Sequence, residues 1–122
     1  MTENRKQAAQ PEDLARLFVE LANAGDAEGL AALYEPDAVL AFPPGETTVG
    51  RDAIRGVCEA LLAHTSHFEE EQAMPTVRNG DLALTSTVPA DGSGGRVQVA
   101  RRQPDGTWLR ILDRPEARQP GR

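Results

Sequence analysis

Thiols, lysines and long apolar runs are scarce in this chain of 122 residues, and each scarcity bears on a class of function. Cys58 is the only cysteine, so no intrachain disulfide can form, no thiolate cluster can hold a structural metal, and a reducing, cytoplasmic setting fits best. Lys6 is the only lysine among 13 basic residues, and the arginines that make up the rest are scattered and form no basic patch. The formal net charge of -6 repels a phosphate backbone, which argues against nucleic acid as a partner. No run approaches the roughly 18 apolar residues that a membrane span needs, and Met1 to Gln10 is polar without an apolar signal core, so no membrane partner is expected. The two histidines, His64 and His67, stand three apart, but no carboxylate or cysteine completes a metal set around them; neither metal nor cofactor is expected.

A chain of this length fills one core, and its periodicities divide it cleanly. Leu14, Leu17, Phe18, Leu21 and Ala22 recur at helical spacing behind Pro11, Glu12 and Asp13, with Gly25 as the stop. Asp26 suits the cap of a short second helix carrying Leu30, Leu33 and Tyr34, which Pro36 must end. Ala38 to Phe42 reads as a strand. After Gly50, the residues Ile54, Val57, Cys58, Leu61 and Leu62 mark a third helix closing at His64. The period then becomes alternating, with runs near Phe68–Val77, Leu82–Val88, Arg96–Arg102 and Thr107–Arg114. Turn residues separate them at Asn79-Gly80, Asp91–Gly95 and Pro104-Asp105-Gly106, as in an antiparallel meander. Helices first and strands after predict an α+β fold with three N-terminal helices packed on one face of a curved antiparallel sheet. The expected domain runs over residues 11–114, between disordered ends at 1–10 and 115–122.

The order of several short motifs resembles the nuclear transport factor 2-like superfamily, in its SnoaL-like and ketosteroid-isomerase-like branch. They are Ala24-Gly25-Asp26, then Leu33 to Leu40 (LYEPDAVL), then Gly50-Arg51-Asp52-Ala53-Ile54, and finally Asp105-Gly106-Thr107-Trp108. The resemblance covers about Pro11 to Arg114. It implies a cone-shaped cup, with helices on the concave side of the sheet, often assembled as a homodimer. It also implies a pocket for a small apolar or aromatic molecule, in a polyketide cyclase-, isomerase- or dehydratase-like enzyme or in a non-catalytic dimeric binding or accessory module. The ketosteroid isomerase constellation itself is missing. Phe42 stands where that family has its base, Phe18 where it has its donor tyrosine, and Gln98 (Val99 if a gap is allowed) where it has its donor aspartate. A phenyl ring accepts no proton, so no isomerisation of a 5-ene-3-ketosteroid is expected.

On the same analogy, Phe18, Tyr34, Phe42 and Gln98 line the cup together with Leu109 and Ile111, and Asp113 follows these two on the cup side of the last strand. A four-residue loop over Gln103–Gly106 would set Gln98 opposite Ile111 and Arg96 opposite Asp113, pairing a guanidinium with the one cup carboxylate as the candidate catalytic pair; a loop one residue shorter breaks that pairing. The alternate set Val97, Val99, Trp108, Arg110 and Leu112 would then form an apolar outer face suited to a symmetric homodimer. Glu69, Glu70 and Glu71 read as a solvated strand, Gly92 to Gly95 as a hairpin loop and not a phosphate cradle, and Cys58 as an inert buried thiol.

Overall fold

A computed structural model describes residues 6–90 and 94–116; the expected disorder at 1–5 and 117–122 and residues 91–93 of the Asp91–Gly95 turn lie outside the described residues. The elements run α1 (Asp13–Asn23), α2 (Ala27–Ala31), β1 (Tyr34–Leu40), β2 (Thr48–Val49), α3 (Arg51–His64), β3 (Gln72–Ala73), β4 (Val77–Asn79), β5 (Leu82–Val88), β6 (Arg96–Arg102) and β7 (Trp108–Arg114). Three helices and a curved, unclosed sheet make the α+β cone. The sheet order is β2-β1-β7-β6-β5-β3, with β4 on the same side of β5 as β3, and every pairing is antiparallel except β1 with β7.

Helix α1 buries Leu14, Leu17 and Ala22, and Gly25 takes φ +70, a left-handed conformation that lets the chain leave the helix. The side chain of Asp26 accepts from Gly29 N at 2.9 Å and starts α2 as expected. Helix α2 is shorter than its apolar spacing suggests: it stops at Ala31, and Tyr34 opens β1. Pro36 therefore interrupts a strand instead of ending a helix. The β1–β7 register slips between Tyr34 and Val39, around the residue that has no N–H to give a ladder.

The expected strand over 68–77 is likewise broken. Pro75 separates β3 from β4, and Glu69 to Glu71 precede both as loop. At the other end, order begins before Pro11: Ala8 is buried, and its carbonyl accepts from Trp108 N at 2.9 Å.

The hairpin β6–β7 departs most from expectation. Arg102 faces Trp108, Arg101 faces Leu109 and Ala100 faces Arg110; beyond these, Val99 faces Leu112 and Gln98 faces Asp113. Ile111 is the extra residue, a β-bulge that reverses the alternation of β7 midway. Trp108, Arg110 and Asp113 consequently share the helix-facing side, while Leu109, Ile111 and Leu112 do not. The core beneath the helices gathers Leu14, Leu17, Leu30, Leu33, Tyr34, Ile54, Cys58, Ala83, Ala100 and Trp108.

Candidate functional site

Between the helices and the sheet lies a cleft of about 1460 Å³, walled by Phe18 and Val19 of α1, Val57, Cys58 and Leu61 of α3, and Leu40 of β1. The loop residues Phe42 and Phe68 also line it, and Tyr34, Gln98, Arg110 and Asp113 contribute its sheet side. These last four residues are at most 7% exposed, so the floor is polar and largely screened from solvent.

Three elements build that floor. The carbonyl of Leu33 accepts from Arg110 N at 2.8 Å, which brings the start of β1 beside the middle of β7. Arg51, in the first turn of α3, then grips the carbonyl of Tyr34 with Nε at 2.9 Å and Nη2 at 2.6 Å. So fixed, the Tyr34 hydroxyl donates to Asp113 Oδ2 at 2.5 Å and accepts from Arg110 Nη1 at 3.5 Å. Arg110 Nη1 also lies 3.7 Å from Asp113 Oδ2, and its guanidinium stands 5.5 Å from the Phe18 ring centre and 5.8 Å from that of Tyr34. Two atoms of this cluster, Arg110 Nε and Asp113 Oδ1, are buried without a hydrogen-bond partner.

The electrostatics follow from burial. Burial, reinforced by the charge on Asp113, pushes the Tyr34 phenol well above its ordinary range. Burial opposes the charge on Arg110, but Tyr34 and Asp113 outweigh it and hold the guanidinium above its usual value. Cys58, on the facing side of α3, is pushed up to about 11, chiefly by burial, so its thiol is held protonated and unreactive.

The expected residues are placed as follows. Phe18, Tyr34, Phe42, Gln98 and Asp113 line the cleft, Phe42 at an exposed position and the other four at or near the floor. Leu109 and Ile111 do not line it, because the bulge leaves them on the other face. Arg96 lines it but does not face Asp113; it pairs with Glu71 at 2.9 Å, which also accepts from Thr87 Oγ1 at 2.8 Å, and it donates to Pro115 O at 2.9 Å. The partner of Asp113 is Arg110, assigned by strict alternation to the outer face together with Trp108. Its place at the floor was hidden because an i, i+3 pair on a strand shares a face only across a bulge, and no residue type here marks one. Opposite Asp113 stands Gln98, whose Oε1 accepts from Thr85 Oγ1 at 2.8 Å. Among the described residues, no group of three or more His, Cys, Asp and Glu could hold a metal ion, and no helix is long and apolar enough to cross a membrane.

Compared with known proteins, residues 15–111 match the model of the SnoaL-like domain. No curated protein matches the sequence. Among solved structures, the chain is similar to an NTF2-like protein with a cystatin-like fold from Novosphingobium aromaticivorans, at 23% identity and a TM-score of 0.63 over 85% of this chain and 77% of that one. A ketosteroid isomerase-like protein from Erwinia carotovora atroseptica is similar at 21% identity and a TM-score of 0.68, over 89% and 94% of the two chains. A protein from Catenulispora acidiphila, solved in complex with S-DNPA, is similar at 17% identity and 0.64, over 84% and 86%. At these identities the likeness is one of fold.

Proposed function

The chain belongs to the SnoaL-like domain family, and we propose that its cleft binds a small, flat, largely apolar or aromatic molecule whose polar group meets Asp113. The observation that carries this reading is the buried Tyr34–Asp113–Arg110 cluster at the foot of an apolar wall. Desolvating two charges and leaving two of their polar atoms unpaired costs stability that a hydrophobic floor would not, and such costs concentrate where a ligand is handled. The wall of Phe18, Leu40, Val57 and Leu61 supplies the apolar contact. A neighbour in fold was solved in complex with S-DNPA, which agrees with a cone that admits ligands.

The chemistry open to the floor is that of an acceptor. The Tyr34 O–H already donates its hydrogen bond to Asp113, so Asp113, not Tyr34, is the group that would receive a proton from a ligand O–H or acidic C–H. A cyclase-, isomerase- or dehydratase-like step in a bacterial pathway would use it as base, with Arg110 balancing the charge. Steroid isomerisation is outside this reading: with phenylalanine at 42 and 18, turnover of a 5-ene-3-ketosteroid stays at the buffer rate, and turnover above it would refute the assignment.

The binding reading is tested by thermal shift with naphthalene, a neutral bicyclic probe. The wild-type protein should gain stability as the probe is added, and Leu61→Arg, which places a charged chain on the cleft wall from an exposed position on α3, should abolish the gain while the variant still folds. No stabilisation of the wild type up to the solubility limit, by naphthalene or by bicyclic analogues of the same outline that carry a ring nitrogen or a lactam edge, would overturn the proposal.

A further inference from the structure

Arg110 Nε and Asp113 Oδ1 are a donor and an acceptor, both buried, both without a partner, on two residues that line the cleft. Nearly every buried polar atom in a folded protein is satisfied, so each of these calls for a partner that the described residues do not supply. The side chains are 5% and 6% exposed, their partnered ends, Arg110 Nη1 and Asp113 Oδ2, are 3.7 Å apart, and both unpaired atoms are screened from solvent, so a ligand reaches them by turning these two neighbouring side chains toward the cleft.

We infer that the ligand presents to this patch a single neutral polar edge carrying one hydrogen-bond acceptor and one donor, as a lactam, a primary or secondary amide, or an enolised 1,3-dicarbonyl does. This deepens the pocket proposal and rests on it. Neutrality follows from the pair itself: an anion reaching Arg110 also meets the carboxylate of Asp113, and a cation reaching Asp113 also meets the guanidinium. The exposed lining sets Glu12, Glu46, Glu69, Glu70 and Glu116 against Arg16 and Arg114, a balance that further disfavours an anion. The acceptor of the edge meets Nε–H, and its donor meets Oδ1. Phe18, under the guanidinium, sets the plane in which a flat body stacks. An apolar ligand of the same outline fills the cleft but leaves both atoms orphaned, and sites of that kind discriminate by their unpaired groups.

The experiment compares three bicyclic probes of similar outline on the wild-type protein: naphthalene, with neither group; quinoline, with an acceptor only; and 2-quinolinone, with C=O and N–H on one edge. Isothermal titration should give 2-quinolinone a Kd lower than that of either other probe by about tenfold or more, the scale expected from hydrogen bonds to buried charged groups. A crystal structure of the complex should place the lactam N–H within about 3.2 Å of Asp113 Oδ1. Equal affinities, or a lactam edge turned to the mouth of the cleft, would overturn the inference and leave the pocket proposal standing. Failure of all three probes to bind would overturn both.

Discussion

Asp113→Leu leaves a guanidinium buried without its counter-charge, which should cost about 3–5 kcal/mol. Arg110→Met combined with Asp113→Leu removes both charges and should recover most of that loss. A double-mutant cycle in urea measures the coupling, and additive losses would show that the two side chains do not act as a pair. The same floor gives a pH signature. Cys58 keeps its proton to about pH 11 in the folded state against an ordinary 9.0, and Tyr34 keeps its own well above 10.0. The unfolded chain then ionises first, so stability is whole below pH 9 and falls as pH rises from there, Cys58 acting between 9 and 11 and Tyr34 from about 10 upward. Urea midpoints measured at intervals from pH 8 to 11 should decline, and the combination of Cys58→Ala with Tyr34→Phe should flatten the decline. An undiminished slope in that variant would place the titration elsewhere.

At the scale of elements, α3 is positioned by a backbone conformation open to few residues. Gly50 precedes it at φ +96 and ψ 147, and its N–H reaches Ala38 O at 2.8 Å, tying the helix to β1. Space is not the obstacle to a side chain there, since the nearest atom to an added Cβ is Pro36 O at 3.7 Å; the dihedrals are. Gly50→Ala should therefore cost about 1–3 kcal/mol in chemical denaturation, whereas an unchanged midpoint would mean that the loop relaxes freely. How much of the fold could be read in advance varies by element for physical reasons. The apolar stripe from Ile54 to Leu62 and the turns at Asn79-Gly80 and Asp105-Gly106 are local signals, and α3 and the hairpins followed them. Leu33 and Tyr34 continue the spacing of α2 yet leave the helix, Leu33 in the turn and Tyr34 as the first residue of β1, because bonds to β7, such as Arg110 N to Leu33 O, outweigh one more helical turn. Pro75 divides a run that alternates well on either side of it. Asp113, Tyr34, Phe18 and Gln98 were legible as cleft residues. Arg110 was not, since the bulge that turns it inward depends on pairing with β6, a property of two strands together.

For the whole molecule, the same bulge leaves a second apolar surface on the side of the sheet away from the helices. Leu84 is 43% exposed and Leu112 49%, and Val97, Val99 and Leu112 border a groove there with Val39. Trp108 and Arg110, which strict alternation would add, are buried on the other side. We propose that the remaining face joins two copies of the chain about a two-fold axis. Light scattering at micromolar concentration should give twice the chain mass, and Leu112→Asp should give the chain mass alone with its fold retained. A wild-type monomer under those conditions would refute the dimer. The two surfaces share a wall one strand pair thick: the couple Val99 and Leu112 faces outward, and the next couple, Gln98 and Asp113, faces the cleft. If both proposals hold, a shift in the pitch of that pair on binding at one surface would be felt at the other, and the two binding events would be thermodynamically linked. Each would then alter the other's equilibrium constant by the same factor, and ligand affinity would become a function of protein concentration as dilution took the proposed dimer apart.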